Sequence, residues 1–261
     1  MKQSVTVSAS PVTTTPGERA KRREQRTSRS GGAVATDATS PPRALRDGRP
    51  EDRIVIRLLQ AFAVCFARIY HQTIVRAALR LPRDGPAILV CNHISGLDPL
   101  IIQSVSPRMI VWMMAKEYYD IKALNWMFRT IECIPVERAG RDMAATRAAL
   151  RALEHGRVLG VFPEGRIEKT NELLPFQTGV ALMAIKTGVP VYPAYLEGTQ
   201  RNKTMLDAFM YRNRAVLTFG PPVQFDRSST SKEALQAATD RIAEAVAEMK
   251  ARSERRRAKQ R

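Results

Sequence analysis

From Pro82 onward, short runs of aliphatic and β-branched residues alternate with longer stretches of helical spacing. This alternation constrains the fold more than any other feature of the chain. Strands are predicted at 87–91, 109–114, 157–162, 189–195 and 215–219, with a shorter one ending in Pro135-Val136-Glu137-Arg138. Helices are predicted at 99–105, near 124–130, at 142–154 and 179–186, and from Lys232 onward, where Thr230 and Glu233 fit a capping box. Strands alternating with helices predict a single α/β domain over 84–229 with a central, mainly parallel sheet flanked by helices. Hydrophobic residues make up 44% of the 261, enough for a core of ordinary size and too many for a chain disordered throughout.

The net charge of +17 first suggests nucleic acid, but twelve of those charges lie in two flanks, 1–50 and 250–261. The first flank is rich in Ser, Thr, Pro and Ala and is predicted to be a disordered basic tail. The second closes a C-terminal helix and basic tail over 230–261. Neither carries aromatic platforms or a nucleic-acid motif, which disfavours nucleic acid as partner. Attraction to an anionic membrane, at ~1 kcal/mol per Lys or Arg near the surface, fits the distribution better. Lys2 is followed by Ser, Thr and Pro, so no secretory leader is expected. Three widely spaced cysteines without C-x-x-C predict free thiols in a reducing compartment, and no metal site is expected.

Residues 51–83 join the tail to the domain. Arg53, Arg57, Gln60, Arg68, His71, Gln72 and Arg76 fall in a helical arc about 160° wide, with Leu59, Phe62, Ala63, Phe66, Ile69, Tyr70 and Ile74 opposite. The longest uncharged run, 58–67, is too short to span a bilayer. Two readings stand: amphipathic helices in the membrane interface, or a surface helix packed on the domain. The first predicts a peripheral or monotopic protein on the cytoplasmic side of a membrane.

Two predicted strands end in residues with chemical potential. The first runs into Asn92-His93-Ile94-Ser95-Gly96-Leu97-Asp98-Pro99. A histidine at a strand end can act as general base, and a carboxylate on its other ring nitrogen fixes the tautomer. Asp98 is spaced to turn back onto His93, and equally to cap the helix that Pro99 begins. Cys91 is a weaker candidate nucleophile, since small buried cysteines are common on strands. The second strand runs into Phe162-Pro163-Glu164-Gly165-Arg166, followed by Leu173-Leu174-Pro175-Phe176. Gly165 permits close backbone approach, Arg166 offers a planar fork for phosphate, and Glu164 suits a substrate hydroxyl or Arg166 itself. Lys116 and Arg138 follow two further strands, and ligands of open α/β sheets bind beyond the carboxyl ends of the strands.

Asn-His-x-Ser-x-x-Asp, Val-Glu-Arg, Phe-Pro-Glu-Gly with Leu-Leu-Pro-Phe, and Val-Pro-Val, in that order over about 84–225, resemble the PlsC-like glycerolipid acyltransferase family. The resemblance implies transfer of a fatty acyl group from an acyl-coenzyme A or acyl-carrier-protein thioester to a lysophospholipid hydroxyl, with no other cofactor. It implies His93 as base, Asp98 as its orienting partner, and Lys116, Arg138, Glu164, Gly165 and Arg166 as substrate-binding residues. Pro190 matches the last motif. The family commonly has Phe-Pro-Glu-Gly-Thr-Arg where this chain has Arg166 directly after Gly165, so a lyso-aminolipid acceptor stands as the alternative to lysophosphatidic acid. The rival to any enzyme is a non-catalytic basic protein held on anionic membrane.

Overall fold

The computed structural model describes residues 54–138, 140, 142–168, 172–199, 205–227 and 229–259. The basic stretch 1–50, Arg53 and the Asn-Lys-Thr sequence at 202–204 fall outside these residues.

Seven strands make one sheet: β1 (Ile74–Val75), β2 (Ala87–Cys91), β3 (Ile110–Ala115), β4 (Ile134–Val136), β5 (Val158–Val161), β6 (Val191–Glu197) and β7 (Val216–Phe219). Their order is β1-β7-β6-β2-β5-β3-β4. The strands β6, β2, β5, β3 and β4 run parallel to one another, and β7 runs antiparallel to β6. The helices are α1 (Ile54–Cys65), α2 (Asp98–Gln103), α3 (Lys116–Tyr119), α4 (Lys122–Thr130), α5 (Met143–Glu154), α6 (Gly179–Thr187), α7 (Met205–Met210) and α8 (Lys232–Ala258). The predicted class is the observed one, a mostly parallel sheet flanked by helices.

The sheet is covered on both faces, which is why β2 and β5 read as unbroken apolar runs. Alternate residues serve two cores. Ile88, Val90, Val111, Leu159 and Val191 pack with residues of α5, α6 and α8, among them Leu153, Ala184 and Ile242. Leu89, Cys91, Ile110, Trp112 and Leu196 pack on the other side with Ile101 and Ile102 of α2 and Phe128 of α4. The parallel register, with Val90 opposite Val161 and Ala115 opposite Val136, brings the carboxyl ends of five strands to one edge.

Three expectations are corrected. The helical segment reaches only Tyr70, ending in a π-helical turn, Phe66–Tyr70, rather than continuing to 83. Thr73 donates to the Ala67 carbonyl from both its amide and its hydroxyl, Gln72 takes a φ of 44°, and Ile74 and Arg76 then bond to β7 as edge strand. Arg76 accordingly leaves the predicted polar arc and is largely buried, donating to the carbonyl and hydroxyl of Ser253 at 2.9 Å. At α8 the cap is Ser231, whose hydroxyl accepts from the Ala234 amide, and not Thr230, because the helix begins one residue later than a Thr230–Glu233 box requires. Finally, residues 250–258 are no tail: they continue α8, and Ser253 is fully buried, donating to Glu197 at 2.7 Å.

Helix α1 settles which face packs. Ile56, Ala63 and Ala67 are buried, and Gln60 donates to the Ser106 carbonyl at 3.0 Å. Ile54, Leu58, Phe62 and Ile69 point outward, Leu58 64% and Ile69 74% exposed. Arg57 and Arg68 are exposed too. The face bearing Ile56, Gln60, Ala63 and Ala67 packs on the domain, and the apolar side chains of Ile54, Leu58, Phe62 and Ile69 remain open. No described helix is long and apolar enough to cross a membrane.

Candidate active site

The loop after β2 is built around one carboxylate. Asp98 is fully buried. Its Oδ2 lies 3.0 Å from His93 Nδ1 and accepts from the Ile94 and Ser95 amides at 2.7 and 2.8 Å. Its Oδ1 accepts from the Thr199 hydroxyl at 3.0 Å. A buried charge is tolerated only when its acceptor sites are filled, and four donors fill these. Asp98 therefore does more than punctuate a helix: it begins α2, yet its side chain turns back on the loop before it. The contact makes Nδ1 the protonated nitrogen of His93 and leaves Nε2 as the basic one. The His93 side chain keeps 18% of its surface exposed, enough for contact with a substrate.

Two residues outside the predicted site support this geometry. Asn92 extends the sheet by one step, accepting from the Leu196 amide at 2.8 Å and donating to its carbonyl at 2.9 Å. Thr199 reaches Asp98 because β6 runs parallel beside β2, a proximity no local pattern announces. Cys91 is excluded as nucleophile. It is buried, and burial holds its thiol well above the usual range.

Next along the edge comes the loop after β5. Gly165 has a φ of +67°, a conformation that favours glycine, and a Cβ there would meet the end of the Gln177 side chain. Its amide is used within the turn, donating to the Phe162 carbonyl at 3.1 Å. The Glu168 amide donates to the His93 carbonyl at 2.7 Å and ties this loop to the first. Glu164 and Arg166 part company here. Arg166 is exposed and makes no ion pair among the described residues. Glu164 is 4% exposed, and neither carboxylate oxygen has a well-formed hydrogen bond. Burial raises its pKa to about 7, against the opposing pull of the nearby His93 and Leu174 amides.

Lys116, at the end of β3, pairs with Glu137 at 2.8 Å, and Arg138, beyond β4, lies 3.7 Å from Glu117. Both are exposed. The bond to Glu137 raises the Lys116 pKa. Across neighbouring strands about 4.8 Å apart, His93, the 164–166 turn, Lys116 and Arg138 spread over roughly 15 Å of one edge. The edge thus combines a partly exposed, oriented imidazole with cations at increasing distance from it. Among the described residues no cluster of His, Cys, Asp and Glu could hold a metal ion.

Residues 72–197 match the family model described as Acyltransferase. Over 172 residues the chain is 26% identical to the 1-acyl-sn-glycerol-3-phosphate acyltransferase of Bacillus subtilis, covering 65% of this chain and 83% of that one. Over 207 residues it is 27% identical to an N-acylphosphatidylethanolamine synthase of Arabidopsis thaliana, covering 66% and 70%. Among solved structures, the 1-acyl-sn-glycerophosphate (LPA) acyltransferase PlsC of Thermotoga maritima superposes with a TM-score of 0.59 at 25% identity, over 76% of this chain and 80% of that one. With the ordered motifs on adjacent strand ends of a like fold, residues 72–197 carry an Acyltransferase domain, and the chain is similar in sequence and fold to PlsC-like acyltransferases.

Proposed function

We propose that the protein transfers a fatty acyl group from an acyl-coenzyme A or acyl-carrier-protein thioester to the free hydroxyl of lysophosphatidic acid, giving phosphatidic acid. The observation that carries this reading is the His93–Asp98 pair, buried at the carboxylate and open at the imidazole, beside exposed Arg166. His93 Nε2 takes the proton of the acceptor hydroxyl as its oxygen attacks the thioester carbonyl carbon. The C–S bond breaks, and the departing thiolate takes the proton back from His93. Asp98 holds the ring and offsets the imidazolium charge in between. No covalent enzyme intermediate and no further cofactor are required. The amides of Ile94, Ser95 and Gly165 are already engaged, so none of them is free to bind the oxyanion.

Arg166 suits the acceptor phosphate, with Lys116 and Arg138 further along the edge. In this reading Glu164, 4% exposed, supports the loop rather than clamping the phosphate. The open apolar face of α1, flanked by Arg57 and Arg68, supports peripheral binding to an anionic membrane on the cytoplasmic side. Thioester consumption with lysophosphatidic acid, followed by mass spectrometry of the lipid products, tests the reaction. A protein that yields no phosphatidic acid from either donor sinks it.

A further inference from the structure

The imidazole of His93 does not rest on Asp98 alone. Its ring lies parallel to that of Phe162, with centroids 4.1 Å apart and planes 15° apart. Phe162 in turn lies on Trp112, at 5.0 Å and 10°. Below them β5 carries Gly160 in register with Trp112. A Cβ on Gly160 would come within 2.5 Å of the Trp112 ring and 2.6 Å of Ile110, so glycine is what lets the indole lie there. Trp112 is 4% exposed, and its Nε1 has no hydrogen-bond partner among the described residues. A polar N–H buried unbonded destabilises the fold, so this indole serves by its ring face rather than its donor.

We propose that Phe162, seated on Trp112, is a positioning residue for acyl transfer. It fixes the plane of the His93 ring and stabilises the positive charge that ring acquires. This rests on His93 being the base. Asp98 holds one point of the imidazole, at Nδ1, and leaves rotation about that contact open. A flat neighbour at 4.1 Å restricts the tilt of the ring. The face of an aromatic ring also attracts a cation lying over it. As general base, His93 gains a positive charge when it takes the acceptor proton. The attraction therefore grows toward the transition state and acts on kcat more than on KM.

The test uses the full-length chain with lysophosphatidic acid and palmitoyl-coenzyme A, with palmitoyl-acyl-carrier protein in a parallel series. Phe162→Leu keeps an apolar side chain but loses the ring face. It is expected to lower kcat about tenfold while leaving acceptor KM within about twofold, in line with a cation–π contribution. Phe162→Tyr keeps the face and is expected to stay near wild type. If Phe162→Leu fails to fold, Phe162→Met makes the same comparison. The chain has three histidines, so ring-proton NMR resolves His93, which His93→Ala identifies by loss of its signal. Shielding by Phe162 is expected to vanish in the Leu variant and move that signal downfield. A folded Leu or Met variant with wild-type kcat overturns the proposal, as does a Tyr variant as slow as Leu. Retained turnover in His93→Ala overturns the base assignment as well, which distinguishes the two failures.

Discussion

Thr199 donates its hydroxyl to Asp98 Oδ1 at 3.0 Å across 101 positions of sequence, which leaves Oδ2 for His93 and the loop amides. The end of β6 thereby holds the carboxylate that orients the imidazole at the end of β2. Thr199→Val removes this donor, leaves a buried carboxylate oxygen unsatisfied, and is expected to destabilise the protein by about 1–3 kcal/mol. Thr199→Ser keeps the donor and is expected to melt near wild type. Thermal melts of the two variants check this, and equal melting temperatures would show that the bond carries no weight.

His93→Ala is expected to lower turnover by roughly 10²–10⁴-fold, the usual contribution of a general base. With the ring partly exposed and Asp98 still bonded by three other donors, the fold is expected to hold. Steady-state rates and circular dichroism on the same preparation test both halves.

Arg166→Ala is expected to raise the KM for a phosphate-bearing acceptor more than it lowers kcat, because its charge serves bound substrate and transition state alike. An unchanged KM counts against Arg166 as the phosphate clamp.

Glu164 gives a pH signature. Its carboxyl has a pKa of about 7 in the folded protein against 4.5 ordinarily, so the folded state holds the proton more tightly than the unfolded one. Stability from this group is therefore present below pH 4.5 and is lost as pH rises toward 7. Glu164→Gln mimics the protonated form. The variant is expected to melt higher than wild type at pH 8, with the gap closing by about pH 4.5. A gap of constant size across that range contradicts the buried, raised carboxyl.

Truncation after Met249 removes Ser253, and with it the bonds to Arg76 and Glu197. Helix α8 is packed along the sheet, and the truncated chain is expected to lose about 1–3 kcal/mol or more of stability, read from a denaturant midpoint. Unchanged stability would make 250–258 the dispensable tail that its charge suggests.

Much of the site was legible because it is local. His93 and Asp98 are five apart in one loop, and Gly165 announces a turn in a conformation that favours glycine. Strand and helix positions followed from short apolar runs between polar, periodic ones. Residues 74–75 were not legible: nothing in their own pattern says that the chain stops being helical, since they pair with β7 some 140 residues later. The basic end of α8 misled for a similar reason. Its charge is what a solvated tail would carry, while its one buried anchor, Ser253, is a common polar residue whose partners, Arg76 and Glu197, are 177 and 56 positions away.

By itself the sequence determined the α/β class, the two candidate site loops, and the order of the cationic residues, because spacing and turn chemistry are set by neighbours along the chain. Only the tertiary structure decided which groups support His93. Thr199, Phe162 and Trp112 come from three other strands, brought to one edge by the parallel order β6-β2-β5-β3. It also decided that Glu164 is buried while Arg166 is open, a difference between residues two apart that no local pattern announces because burial is set by contacts distant in sequence.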